Sequence, residues 1–133
     1  GPELLSKWVG DSEKALAALF RRALEGREAS LGREHSWTLT AANNASWLLL
    51  TLGRPEALEG FERCLKGRTD PTDWLHHWAR FGVALCEGLT TGDLGAAEAV
   101  IVDLIDLLGP DHDRIANGRD KIAMVQTLRE AQG

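Results

Sequence analysis

Apolar residues along this chain recur at spacings of three and four, which gathers them on one face of a helix. Between residues 12 and 31 the series is Ala15, Leu16, Leu19, Phe20, Ala23 and Leu24, with Asp11 or Ser12 available to cap its start and Gly32 to end it. The next series, Ser36 to Leu52, holds Trp37, Ala41, Ala45, Leu48, Leu49 and Leu52 and stops at Gly53. Pro55 suits the first turn of a helix that continues through Ala57, Leu58, Phe61, Cys64 and Leu65 to Gly67. After a turn at Gly67–Pro71, the spacing predicts a helix over Thr72–Leu89, with Trp74, Leu75, Trp78, Phe81, Val83, Ala84 and Leu85 as its apolar set. A turn at residues 90–93 leads to a helix over Leu94–Leu108, stopped by Gly109 and Pro110, and a last helix is expected over Asp113–Ala131. Glu3–Val9 is a candidate for a further short one. No sustained period-two alternation and no hairpin signal occurs, so the expected class is all-α, with short turns that make neighbouring helices antiparallel.

The series repeat. A shift of about 41 residues pairs Phe20 with Phe61, Arg22 with Arg63, Ala23 with Cys64 and Leu24 with Leu65. A shift of about 77 pairs the turn Leu31-Gly32-Arg33-Glu34-His35 with Leu108-Gly109-Pro110-Asp111-His112. A helix pair repeating at this period cannot cover its own apolar face and must stack on the next pair.

The run from Leu19-Phe20-Arg21-Arg22-Ala23-Leu24-Glu25 through Leu31-Gly32 and His35 to Thr38-Leu39-Thr40-Ala41 and Asn43-Asn44 resembles the tetratricopeptide repeat in its kinesin-light-chain form, about 42 residues long. Gly53, Ala57, Phe61 and Cys64-Leu65, and then Gly92, Ala97, Ile101 and Leu104-Ile105, are similar to the second helix of that unit. The resemblance implies a right-handed α-solenoid with units over about 3–35, 36–70 and 71–109 and a terminal helix over 110–133. Ile101 departs from the family's pattern, which has an aromatic residue there, and the first unit lacks a full leading helix. Gly1 and Pro2 match the scar of a removed expression tag, consistent with a segment of a longer protein.

What the resemblance implies about function is a concave groove, lined by first helices, that binds a peptide or a partner helix. Carried over residue by residue, the groove positions are Thr40, Asn43, Asn44, Trp47, Leu50 and Thr51 in one unit and Ala79, Gly82, Val83, Cys86 and Thr90 in the next. These positions carry no charge, so a carboxylate-holding groove is not expected, and a neutral or apolar ligand is. Asn43 and Asn44 are poor helix-interior residues. Two roles stay open for them: gripping a partner backbone, or bonding within the fold. Trp47 has polar helix neighbours and is read as a groove anchor, with core packing as the alternative. Trp37, Trp74 and Trp78 are expected to pack between helices, and Trp8 to cover the first face of the array.

Composition narrows the rest. Five Trp against three Phe and no Tyr make indole the dominant flat surface, the side chain most enriched at binding hot spots. The net charge of −5 argues against a nucleic-acid surface, and no apolar run approaches the length of a membrane span. A cytoplasmic chain is expected. Cys64 and Cys86 lie inside apolar series and read as buried small hydrophobes. The segment Leu94–Leu108 is apolar around most of its circumference, so either neighbours bury it or Val100, Ile101, Leu104 and Leu108 form a second interface, such as a homodimer contact.

Catalytic patterns are missing. His76 and His77 are adjacent and point about 100° apart on a helix, unsuited to sharing one metal. His35 and His112 sit in equivalent turns and read as residues bonding local backbone. No phosphate-cradling glycine loop, nucleophile elbow or zinc spacing occurs. The sequence therefore points to a non-enzymatic interaction or adaptor module, with no cofactor and no metal. Its partner would be a protein or peptide. The competing classes are a self-assembling structural domain and a ligand- or peptide-sensing domain that controls a neighbouring effector.

Overall fold

The computed structural model describes residues 14, 15, 17, 18, 21–26 and 36–132, and it is all-α, with no strand among the described residues. Five helices are bounded there: α1 (Ser36–Thr51), α2 (Ala57–Gly67), α3 (Trp74–Thr91), α4 (Gly95–Leu108) and α5 (Asp113–Gln132). The described residues between 14 and 26 are helical as well. The expected caps Asp11, Ser12 and Gly32, the short helix at Glu3–Val9, and Trp8, Phe20 and His35 lie outside the described residues.

Helix ends follow local chemistry. Gly53 takes φ +69, its N–H donates to the Leu50 carbonyl at 2.8 Å, and the Arg54 N–H donates to the Leu49 carbonyl at 2.9 Å. These two bonds form a Schellman cap, which a left-handed glycine allows without a Cβ clash. Pro55 and Glu56 remain in the turn, and α2 opens at Ala57. Helix α3 begins at Trp74, later than expected, because the Asp73 carboxylate takes the Leu75 N–H at 3.0 Å and fixes the N-cap there. Just before it, the Asp70 carboxylate accepts from the Thr72 hydroxyl and N–H, which hold its pKa below the usual value. At α5 the expected local role of His112 is what is found: its Nδ1 accepts the Arg114 N–H at 3.1 Å.

Each helix packs on the next, and α1 also packs on α3 and α3 on α5. Helices α2 and α4 bury matching triplets at the same spacing, Ala57, Phe61 and Cys64 in one and Ala97, Ile101 and Leu104 in the other. The Phe61 ring lies against Gly82 of α3 so closely that a Cβ on Gly82 would enter it. Ile101 treats Gly118 of α5 the same way, its Cδ1 lying 2.5 Å from where a Cβ would stand. A fully buried side chain of this size contributes about 1.5–3 kcal/mol. Helices α1 and α2 cross closely through small residues, Gly60 lying against the buried Ser46 and the Ala42 carbonyl.

The turn between α2 and α3 is held by both adjacent histidines. His76 Nδ1 donates to the Arg68 carbonyl at 2.7 Å. Arginine only donates, so the 2.8 Å contact from Arg80 makes His77 Nδ1 an acceptor, and His77 Nε2–H donates to the Pro71 carbonyl at 2.7 Å. Arg80 also pairs with Asp103 of α4 at 2.9 Å. Cys64 and Cys86 are free and buried. Burial pushes both thiols up, Cys86 to about 11, and the Cys64 thiol donates to the Leu39 carbonyl at 3.3 Å. Among the described residues no helix is long and apolar enough to cross a membrane.

Candidate functional site

Helix α1 presents one exposed stripe, Trp37, Thr40, Asn44 and Thr51, stepping by three, four and seven residues, with Asn43 and Trp47 half-buried beside it. Its other face is buried through Thr38, Leu39, Ala41, Ala42, Ala45, Ser46 and Leu50. Two of the stripe's threonines are tied to their own helix, Thr40 to the Ser36 carbonyl and Thr51 to the Trp47 carbonyl. Arg68, reaching over from the end of α2, donates to both the Ser36 carbonyl and the Thr40 hydroxyl.

Trp47 stands where α1, α2, α3 and α5 meet. Its ring lies 4.7 Å from Phe61, 5.3 Å from Trp78 and 6.2 Å from Phe81, centroid to centroid. Its indole N–H donates to Asn43 Oδ1 at 3.1 Å, so Asn43 works within the fold as an orienting acceptor for Trp47. Asn44, one residue on, is exposed. Trp74 and Trp78 continue the aromatic surface at 6.3 Å from each other, and Trp78 meets Phe81 at 5.2 Å.

Two cations from α5 rest on this surface. The Lys121 ammonium lies 4.6 Å from the Trp47 centroid, and the Arg114 guanidinium lies 4.6 Å from the Trp74 centroid and 5.4 Å from that of Trp78. Such placements are favourable because the indole face carries negative electrostatic potential. Burial, and then the positive charge of Arg114, lower the Lys121 pKa, with Asp120 opposing. Sequence reasoning missed both residues and took the groove as uncharged. The signal was their seven-residue spacing around Gly118, which puts Arg114, Gly118 and Lys121 on one face of α5.

Several expected positions are corrected. Leu50, Ala79, Gly82 and Cys86 are buried and cannot line an accessible groove. Leu50 lies in the main core, Ala79 packs with Ala42 and Cys64, and Gly82 is the seat of Phe61. Val83 is half-buried at the edge of that core. Thr90 is exposed, but its hydroxyl bonds the Cys86 carbonyl and its own carbonyl accepts from Arg129. On α4, Val100, Ile101 and Leu104 are buried and Leu108 is packed on the core, so of the two roles open for these residues it is burial by neighbouring helices that is found, and the alternative of a second interface at these four positions is corrected. The large apolar residues α4 does expose are Val102, at 57%, and Leu107. Trp78 and Trp74 pack between helices as expected, whereas Trp37 is 64% exposed.

Two depressions flank the helices. One, of about 710 Å³, lies where the turn Gly53–Pro55, the end of α3 and the end of α5 converge, and Arg129 bonds the Leu89 and Thr90 carbonyls beside it. The other, of about 400 Å³, lies between Ala17, Arg21, Leu24 and Glu25 on one side and the pair α1 and α2 on the other. Among the described residues no group of three or more His, Cys, Asp or Glu is placed to hold a metal ion.

Comparison with known proteins adds little. No family model matches the chain, and no solved structure does. A stretch of 23 residues is 78% identical to part of "ATPase family protein 2 homolog" of Caenorhabditis elegans, and one of 23 residues is 70% identical to part of "Protein SAV" of Sulfolobus acidocaldarius. Each match covers 17% of this chain and 3% of the other protein.

Proposed function

We propose that this chain is a tetratricopeptide-like interaction module, a right-handed solenoid segment that binds a peptide or helix of a protein partner along α1. The observation carrying this reading is the α1 stripe itself. Trp37, Thr40, Asn44 and Thr51 are exposed beside the half-buried Trp47, which puts an indole face and the Asn44 amide on one accessible side of α1. The matched triplets of α2 and α4, each seating a bulky side chain on a glycine of the following helix, support the repeat architecture. In this reading Trp37 and Trp47 supply apolar anchors about 15 Å apart along the helix, and Asn44 bonds the partner backbone.

The test is capture of partners from lysate with the wild-type chain and with Asn44→Arg and Thr40→Arg, both exposed substitutions that leave the core untouched. Loss of the same partners in both variants, with unchanged thermal unfolding, is expected. Retention in both, with loss on Val102→Asp, would instead favour binding through the outer side of α4. Self-assembly is the competing reading, resting on the exposed Val102 and Leu107. A monomeric mass by light scattering at high concentration rules it out.

A further inference from the structure

The positive charge on the aromatic surface is offset only in part, by the neighbouring Asp120 carboxylate acting on Lys121. Arg114 and Lys121 are both half-buried, and among the described residues neither takes part in an ion pair; the pair Arg80–Asp103 uses other residues. Asn117 lies between them on the same side of α5, exposed, its side chain making no hydrogen bond among the described residues. The three residues fall at i, i+3 and i+7, so they form one line of donors about 10 Å long. Two cations brought together with no anion between them cost free energy in proportion to their proximity and burial. A monoanion would neutralise half of that charge and a dianion all of it.

From this geometry we infer that Arg114, Asn117 and Lys121 form a recognition site for a doubly charged phosphoryl oxyanion, carried on the segment that lies along α1. The inference rests on the reading of this face as a binding surface, and it adds the chemical class of the group recognised. Arginine's planar fork can hold two phosphoryl oxygens, the Lys121 ammonium a third, and the Asn117 amide N–H can donate alongside. The stacking on Trp74, Trp78 and Trp47 serves to hold both long side chains extended, so little rotamer freedom is lost when the anion arrives.

Titration calorimetry and tryptophan fluorescence with inorganic phosphate, against acetate at matched ionic strength, test this directly on the whole chain. Saturable binding of phosphate with a change in indole emission is expected, and no saturation with acetate. Arg114→Gln and Lys121→Gln should each weaken it by about tenfold or more, since each removes a charge-assisted bond. Arg119→Gln, an exposed substitution on the opposite side of α5, should leave it unchanged. Identical, unsaturable responses to phosphate and acetate would overturn the site, as would equal losses in the Arg119→Gln and Lys121→Gln proteins. Because free phosphate needs no partner, this result is independent of the partner capture. Partner binding that survives a failed phosphate titration removes the anion site and keeps the interaction module.

Discussion

The Lys121 ammonium sits 4.6 Å above the centroid of the Trp47 indole, linking α5 to α1 across the aromatic surface of α3. Two effects oppose each other here. The cation–π attraction is worth about 0.5–2 kcal/mol, while half-burial penalises the charge, as the lowered pKa of Lys121 records. The aliphatic stem covers the ring whether or not the charge is present. Lys121→Met should therefore unfold within about 1 kcal/mol of wild type in urea. Lys121→Ala, which strips the cover from Trp47, should lose about 1–2 kcal/mol. If the two variants unfold alike, the stem contributes nothing.

At Gly82 a methyl group has nowhere to go, because the Phe61 ring occupies the space and is itself fully buried. Gly82→Ala should destabilise by about 1–3 kcal/mol through overpacking, despite alanine's better helix propensity. Gly118→Ala should cost less, because the atom in its way is the terminal methyl of Ile101, the flexible end of a side chain. Chemical denaturation of the two variants side by side checks the order.

Arg80→Leu and Asp103→Ala break the same ion pair but should differ in effect. The pair is partly exposed, at 35% and 45%, so losing Asp103 alone should cost under about 1 kcal/mol. Losing Arg80 also leaves the buried Nδ1 of His77 without its donor, which adds about 1–3 kcal/mol. A double-mutant cycle on Arg80 and His77 should show coupling larger than one on Arg80 and Asp103.

Alkaline pH should weaken the fold through the two thiols. A cysteine with an ordinary pKa of 9.0 in the unfolded chain and about 11 for Cys86 in the folded one keeps its proton longer when folded. Stability is then intact below pH 9.0 and falls as pH rises toward about 11. Cys64 shifts in the same direction. Cys86→Ala should flatten the decline in urea midpoints measured over that interval. In the folded wild-type chain, neither thiol should react with a disulfide reagent at pH 8, and both should react in denaturant.

The helices were legible because glycine and proline punctuate them, and because the apolar spacing of α2 is unambiguous: Ala57, Phe61 and Cys64 are all buried. The two faces of α1 were not. Its buried side includes Thr38 and Ser46, while Leu48 and Leu49 stay half-exposed, so hydrophobicity barely separates inside from outside. What decides there is size: Ser46 must be small for Gly60 to approach, a constraint imposed by a helix elsewhere in the chain. Leu50 was set on the groove by the family register, and it faces the core instead. Their spacing sets Arg114 and Lys121 on one face of α5, but not which helices that face meets in space, and their contact with Trp47, Trp74 and Trp78 depends on the latter.

The two glycine seats differ in what they accept. Gly82 receives a flat ring and Gly118 a branched aliphatic, with the Phe81 ring 3.6 Å from where a Cβ on Gly118 would stand. A phenylalanine in place of Ile101 would press on Phe81, and an isoleucine in place of Phe61 would leave a void. The helices thus carry keys of different cut. Because neither side chain suits the other's seat, α2 and α4 are not interchangeable partners for the helices that follow them.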